Sequence, residues 1–534
     1  MQIPEDEGLY NDPPPSSNAD KASNEIVARM DLAGSGRNFL WTAVPTGLTL
    51  ISGIFLLSFS IRVVGRTEYG AMVAIASATS ILTLFSFGLR YSVVRSAARA
   101  SSLGKNLVEG PEAPSIRAAH TLFVVCSLAL LLAGAGLGWL IPLDLGMHGT
   151  LAFQVYLASI IAISGSSLTL AVTAFSGVVT SQEQFRLGAI IGISGSALQV
   201  ALTVALARPL HILGLAIALF GSSLLQSVMF AHFGRRKAPW LGLRPRFQKA
   251  TVVMPVLRYA SGIALLSATS TICAASDAFV LGAFGGGAFI TTFRVGSIAP
   301  LSLVGIMYLS FGVLFPRLVR NPDGKVQEEG IGWLGRIIGW TSGAVFGCLC
   351  LAGSDLVRVL YGRSNMESVH VMWICAAALC VDVSYHGVVQ TMFARGQQGI
   401  LAKYTWIELI LNLFATIVGV KFFGPLGSAL ALAITIFVTD IVGFPIIARG
   451  RWSSPPGRFV LSHGIVQSVA GGFIAVGIGF VPILMTSGIL LHLLITLFTL
   501  MVSVGVGFTF LNKAGRSRVF DLFMNRKTGP SLSE

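Results

Sequence analysis

Asp382, His386 and Gln390, in the stretch "CVDVSYHGVVQ", follow one another at four-residue intervals and so form a polar stripe along one face of a helix. Such a stripe can relay protons, hydrogen-bond sugar hydroxyls, or satisfy a neighbouring helix. Few other ionisable groups interrupt the long apolar runs of this chain: Asp277, Arg294, Arg336, Lys403, Glu408 and Asp440, with Arg90 at the end of an earlier run. A charge in hydrocarbon is expensive and normally faces a cavity or a partner. The carboxylates Asp277, Asp382, Glu408 and Asp440 are therefore candidates for holding a coupling ion, H+ or Na+. Arg294, Arg90, Arg336 and Lys403, with Asp277 and the stripe, are candidates for lining a polar cavity. Arg294 is singled out because a guanidinium stays charged when buried and grips phosphate oxygens through a two-pronged fork. Asp277 and Arg294 fall at similar depth on consecutive antiparallel runs, so an ion pair between them is the competing expectation. Arg336 and Lys403 lie within a turn or two of a run's end, where long side chains snorkel to the surface.

The elements that must hold these residues are membrane helices. Of the 534 residues, 54% are hydrophobic and only 11% charged, far outside the range of a soluble domain. A crossing needs about 20 mainly apolar residues. Fourteen such runs begin near residues 38, 69, 119, 150, 187, 210, 254, 288, 331, 368, 402, 424, 458 and 488. The expected fold class is an all-α polytopic membrane protein. Residues 1–37 are polar, carry seven acidic groups and read as a disordered tail, and the first run starts too late for a cleaved signal peptide. With loops assigned alternately to two sides, 29 of the 37 Lys and Arg fall on the side of both termini, and the opposite loops hold Arg62, Arg66, Arg208, Arg358, Arg363 and Lys421. That asymmetry predicts cytoplasmic termini in a bacterial inner membrane, and it assigns the net charge of +14 to topology and membrane lipid rather than to nucleic acid. All six cysteines lie inside apolar runs and imply no disulfide framework. No phosphate-binding loop, His/Cys metal spacing or nucleophile elbow occurs, so the sequence points to no cofactor, no metal and no soluble-type enzyme.

"VVGRTEYGA" (Val63–Ala71) and "VLGAFGGGA" (Val280–Ala288) share the pattern V-x-G-x-x-x-x-G-A, with Gly65 matching Gly282 at a separation of 217 residues. Six runs lie between the copies. A repeat over an even number of crossings has parallel topology, with a substrate site between two halves that rock against each other. The expected division is a six-helix lobe over 38–233, a basic linker at 234–253 containing "GRRKAPWLGLRPRFQK", and a second six-helix lobe over 254–449. An extra helix pair at 458–511 and a tail at 512–534 complete the chain.

"VVGRTEYG", then "FGLRYSVVR" (Gly88, Arg95), "ASDAFVLG" (Asp277, Gly282) and "LFPRLVR" (Pro316, Arg317), in this order and spacing, resemble the polysaccharide transporters of the O-antigen flippase type. These belong to the multidrug/oligosaccharidyl-lipid/polysaccharide (MOP) exporter superfamily. The likeness covers roughly residues 38 to 450, and it departs from the family at Thr291 and Thr292, where an aromatic residue is usual. The resemblance implies a transporter rather than an enzyme: a flippase for undecaprenyl-diphosphate-linked oligosaccharide, working by alternating access in capsule, exopolysaccharide or O-antigen assembly, beside a polysaccharide polymerase and export machinery. A cation-coupled multidrug exporter of the same superfamily is the alternative, and it favours an apolar or acidic cavity. A membrane-embedded glycan polymerase or ligase is the rival from the enzyme class, and such enzymes usually need a larger external loop than any found here.

Overall fold

The computed structural model of the protein describes residues 41 to 510, less residues 42–43, 83–88, 91, 95, 98–112, 183, 243, 321–323, 395–397, 448–459 and 486–487. Both expected tails lie outside the described residues. Every regular element described is helical, as hydrocarbon demands, because only a helix or a closed barrel satisfies all backbone N–H and C=O groups without water. In chain order α1 is Val44–Val64, α2 Arg66–Leu82, α3 Ala113–Leu137, α4 the short Leu140–Asp144, α5 Gly149–Ala171, α6 Thr173–Ser181 and α7 Phe185–Lys237. After a non-helical stretch follow α8 Ala250–Arg320, α9 Gly324–Tyr361, α10 Ser368–Ala394, α11 Gln398–Phe423, α12 Pro425–Ile436, α13 Val466–Leu484 and α14 Ile489–Phe510.

Two of these are double. α7 breaks at His211 (φ 50°), two residues past Pro209, and α8 breaks at Gly286 (φ 63°). Eleven helices are long and apolar enough to cross a membrane. Counting the two broken ones twice and adding α2 brings the described crossings to fourteen, as the apolar runs predict. α12 continues into a π-helical turn, Phe437–Gly443, and a second π-helical turn, Leu461–Ile465, precedes α13.

The turn of the repeat needs a correction. In the first copy the chain breaks at Gly65 (φ 90°), but Gly282 is helical and the second break comes four residues later, at Gly286. The turn glycines are thus 221 residues apart, not 217. Both adopt the left-handed backbone that costs a residue with a Cβ and suits glycine.

Helices before the linker pack on one another, α5 against α3 and α7, and α6 against α7. Those after it do likewise, α8 against α10 and α11, α9 against α10, and α11 against α12. α2 lies along α8 and joins the two sets. α13 runs along α9, where Gly339, Gly343 and Gly347 face Gly464, Ser468 and Gly472 closely enough for backbone contact. α14 is held to α9 by a 2.7 Å hydrogen bond from Trp340 Nε1 to the Ser503 carbonyl and by His492 Nδ1 at 2.8 Å from Asp355.

Where α2 meets α8 the contact is backbone on backbone. A Cβ on Gly70 would land on the carbonyl of Gly287, and one on Gly287 would land on that of Thr67. Main chain on both sides cannot rotate away, so Gly70→Ala should hold the two helices apart. With Thr291, fully buried beside this contact, replaced by cysteine in a protein cleared of its six native cysteines, thiol labelling in detergent should rise about tenfold in Gly70→Ala. That ratio corresponds to ~1.4 kcal/mol, within the usual cost of overpacking.

Candidate functional site

α1, α2, both arms of α7 and both arms of α8 enclose a cavity of about 570 Å³, within the ~300–1,000 Å³ typical of ligand pockets. Its polar lining includes Ser60, Tyr69, Gln199, Thr203 and Arg294, with Ser77 and Ser80 further along α2. Arg294 lies two turns into the second arm of α8 and meets Tyr69 of α2, whose hydroxyl is beside the guanidinium. Tyr361 of α9 stands close to both, with Ser58 of α1 against its hydroxyl. From Tyr69 the cavity wall descends along α2 to Ser80, roughly 16 Å at 1.5 Å per residue, toward the face that carries the basic linker.

The other end is sealed. Thr291 Oγ1 donates to the Arg66 carbonyl at 2.6 Å, and the Arg66 guanidinium donates to Thr292 Oγ1 and, at 3.1 Å, to the Ser364 carbonyl. Arg62 donates to the carbonyl of Val359. Glu68 fixes the neighbouring turn, accepting the Ile212 N–H at 3.2 Å and lying 3.7 Å from His211 Nδ1. α4 completes this end: Ile141 and Leu145 join the buried cluster with Ala278, Leu281 and Ile290 of α8. Asp144, between crossings, turns a buried and unpartnered Oδ2 toward α8, where a Cβ on Gly282 would come within 2.6 Å of it. This approach accounts for the glycine at 282 without any turn there. Burial raises the Asp144 carboxyl above its ordinary 3.8.

Asp277 and Arg294 do not pair. Asp277 is buried and accepts from Thr416 Oγ1 of α11 at 3.1 Å, with Ser428 of α12 also beside it. One turn from Thr416, Asn412 keeps its Oδ1 buried without a partner. The stripe on α10 engages a residue the sequence pattern did not indicate: Tyr308 donates to Asp382 Oδ2 while its ring stacks on His386 at 3.7 Å between centroids. The Gln390 side chain lies outside the described residues. Asp440, in the π-helical turn after α12, accepts from Tyr404 of α11. Glu408, one turn from Tyr404, lies within electrostatic reach of Asp382 and Asp440.

The remaining cationic candidates lie away from the described cavity. Arg336 is exposed and bonded to His463 at 2.9 Å, and Lys403 and Arg90 are exposed. Of the described residues singled out in the sequence as candidates, Arg294 alone lines this cavity. Tyr69, Arg66, Thr291 and Thr292 are the additions. Tyr69 and Arg66 sit in the "VVGRTEYG" motif itself, and Thr291 and Thr292 are the positions where the chain departs from the family it resembles.

This helical arrangement has solved counterparts. Lipid II flippase MurJ in an inward closed conformation matches with a TM-score of 0.67 at 15% identity, over 88% of this chain and 99% of that one. A MOP superfamily transporter from Pyrococcus furiosus gives 0.58 at 13% identity, over 77% of this chain and 95% of that one. The Vibrio cholerae MATE transporter VcmN gives 0.56 at 13% identity, over 81% and 100%. No protein-family model and no curated protein matches the chain. At such identities the likeness is one of fold: the chain has the fold of MOP superfamily transporters.

Two outcomes follow from the paired carboxylates and from Asp144. Tyr308→Phe strips Asp382 of its donor and should cost ~1–3 kcal/mol, the penalty of an unsatisfied buried group. Adding Asp382→Leu should recover part of that loss, giving a non-additive cycle in thermal unfolding of the detergent-solubilised protein. Because the Asp144 carboxyl is raised by burial, its neutral form is the one the seal favours. Its contribution is therefore present at low pH and lost as pH rises through the raised value. The unfolding midpoint should fall with rising pH above 3.8, and Asp144→Asn should flatten that fall.

Proposed function

We propose that the protein is a flippase that carries an undecaprenyl-diphosphate-linked oligosaccharide across a bacterial inner membrane by alternating access, with both termini and the basic linker cytoplasmic. The observation that carries this reading is Arg294, a guanidinium fork in a cavity between two sets of helices whose lining mixes hydroxyl and amide groups with Leu56, Met72, Leu215 and Ile298. A diphosphate glycan headgroup cannot cross hydrocarbon unaided, since burying one unpaired charge costs several kcal/mol. A cavity that supplies a cation and sugar-compatible hydrogen bonds lowers that barrier while the polyprenyl tail stays in lipid. The contacts of Arg66 with Thr291, Thr292 and Ser364 seal the end of the cavity on the proposed periplasmic face, so the loading side is the cytoplasm.

A MATE-like multidrug exporter shares the fold, but organic cations would be repelled by Arg294. Coupling to H+ or Na+ falls to the carboxylates of the second helical set, the buried Asp277 and Asp440 and the half-buried Asp382 and Glu408. The glycan then passes to a polysaccharide polymerase and export machinery in the periplasm.

Surface glycan in a null strain, normalised to membrane protein level, tests the reading. Arg294→Ala should abolish glycan while leaving the protein inserted. Arg294→Lys keeps charge without the fork and should retain partial transport, roughly tenfold down, as expected for losing one charge-assisted hydrogen bond. Full glycan from Arg294→Ala, or efflux of cationic dyes that survives that substitution, would remove the flippase assignment.

A further inference from the structure

Arg66 and Tyr69 are three residues apart on one face of α2, and Thr291 and Arg294 are three apart on one face of α8. The two pairs meet as successive rungs. The upper rung, Thr291 and Thr292 with Arg66, lies in the seal. The lower rung, Tyr69 with Arg294, looks into the cavity. Beside the rungs the contact of Gly70 with Gly287 brings the main chains of α2 and α8 together. The residue placed to receive an anion is thus also a strut of the joint between the two helical sets.

We infer that Tyr69 is the element that couples cargo binding to opening of the seal: it occupies the Arg294 guanidinium in the empty cavity and is displaced when an anionic headgroup takes that cation. The inference rests on the flippase reading of the cavity. A phosphate presents anionic oxygens that the guanidinium can grip through two parallel bonds, whereas the phenol offers one neutral oxygen. Cargo therefore turns the guanidinium away from α2 and removes the lower rung, which leaves the upper rung and the Gly70–Gly287 contact to hold α2 against α8 at this face. A ligand shifts a conformational equilibrium only through a difference in its interaction with the two states. Tyr69 supplies that difference, because the headgroup competes with it only where α2 and α8 are joined. In this step the phenol is a positioning group, acting on cargo through Arg294.

The test uses the full-length protein in detergent with Thr291→Cys as the single thiol, and undecaprenyl diphosphate as probe, with undecaprenol as its uncharged control. In the parent protein the diphosphate should raise labelling about threefold to tenfold, the ratio that one hydrogen bond supports, and undecaprenol should not. Tyr69→Phe, which keeps the ring and loses the hydroxyl, should label faster when empty by a similar factor. It should bind the diphosphate at least as tightly as the parent and show no further rise on binding. Tyr69→Phe that labels like the parent, or that still responds to the diphosphate as the parent does, overturns the inference. Diphosphate that binds the parent without changing its labelling overturns the switch alone. Diphosphate that fails to bind the parent at all overturns both the switch and the flippase reading.

Discussion

Hydrocarbon offers no hydrogen bonds, so each polar atom carried below the membrane surface must find a partner within the protein or face a cavity that holds water or cargo. The acids of the second set take the first course with neutral donors: Tyr308 for the half-buried Asp382, and Tyr404 and Thr416 for the buried Asp440 and Asp277. A hydroxyl satisfies a carboxyl oxygen without bringing a second charge into low dielectric, and it leaves the acid able to bind a cation or a proton without first breaking an ion pair. The same economy leaves Arg294 without a carboxylate partner among the described residues. Had Asp277 neutralised it, the cavity would present no net charge at this point and would not discriminate an anionic headgroup from a neutral one.

The seal follows from the same constraint applied to backbone. At the α2–α8 contact, glycines on both helices bring main chain against main chain, which excludes water and lets side chains reach carbonyls on the opposite helix. Arg66 reaches Ser364 beyond α9, and Arg62 reaches Val359 within it. These are hydrogen bonds from cations to neutral carbonyls and hydroxyls rather than ion pairs. They hold the closed arrangement without the deep electrostatic well that would make it hard to leave.

The crossings were legible because fourteen apolar runs are a composition signal that nothing in the fold overrides. The turn of the repeat was not, because the second copy reads "LGAFGGGAF", with four glycines in six positions, and residue types alone do not say which of them takes a positive φ. Gly282 matched the pattern but serves packing against Asp144, while Gly286 makes the turn. The Asp277–Arg294 pair failed for a rotational reason. The two lie nine residues before and eight after Gly286, hence at one depth. Depth fixes height along a helix and not azimuth, which advances about 100° per residue. Arg294 turns toward α2 and Asp277 toward α11. Tyr308 and Tyr404 were out of reach for a similar reason, since helical spacing relates residues on one helix and says nothing of partners on another.

Where a binding charge sits decides whether binding can drive motion. A cation enclosed wholly within one helical set would meet cargo with the same geometry in every arrangement of the two sets, and a ligand with equal affinity for two states shifts neither, however tightly it binds. Arg294 sits instead at the joint, on α8 but against Tyr69 of α2, so its surroundings change when the sets move apart. The carboxylates lie deeper within the second set, among α8, α10, α11 and α12, where their partners stay with them. That placement separates two tasks within one fold. A charge at the joint makes cargo affinity depend on the arrangement of the halves, and charges inside one half can be loaded and unloaded without disturbing the seal.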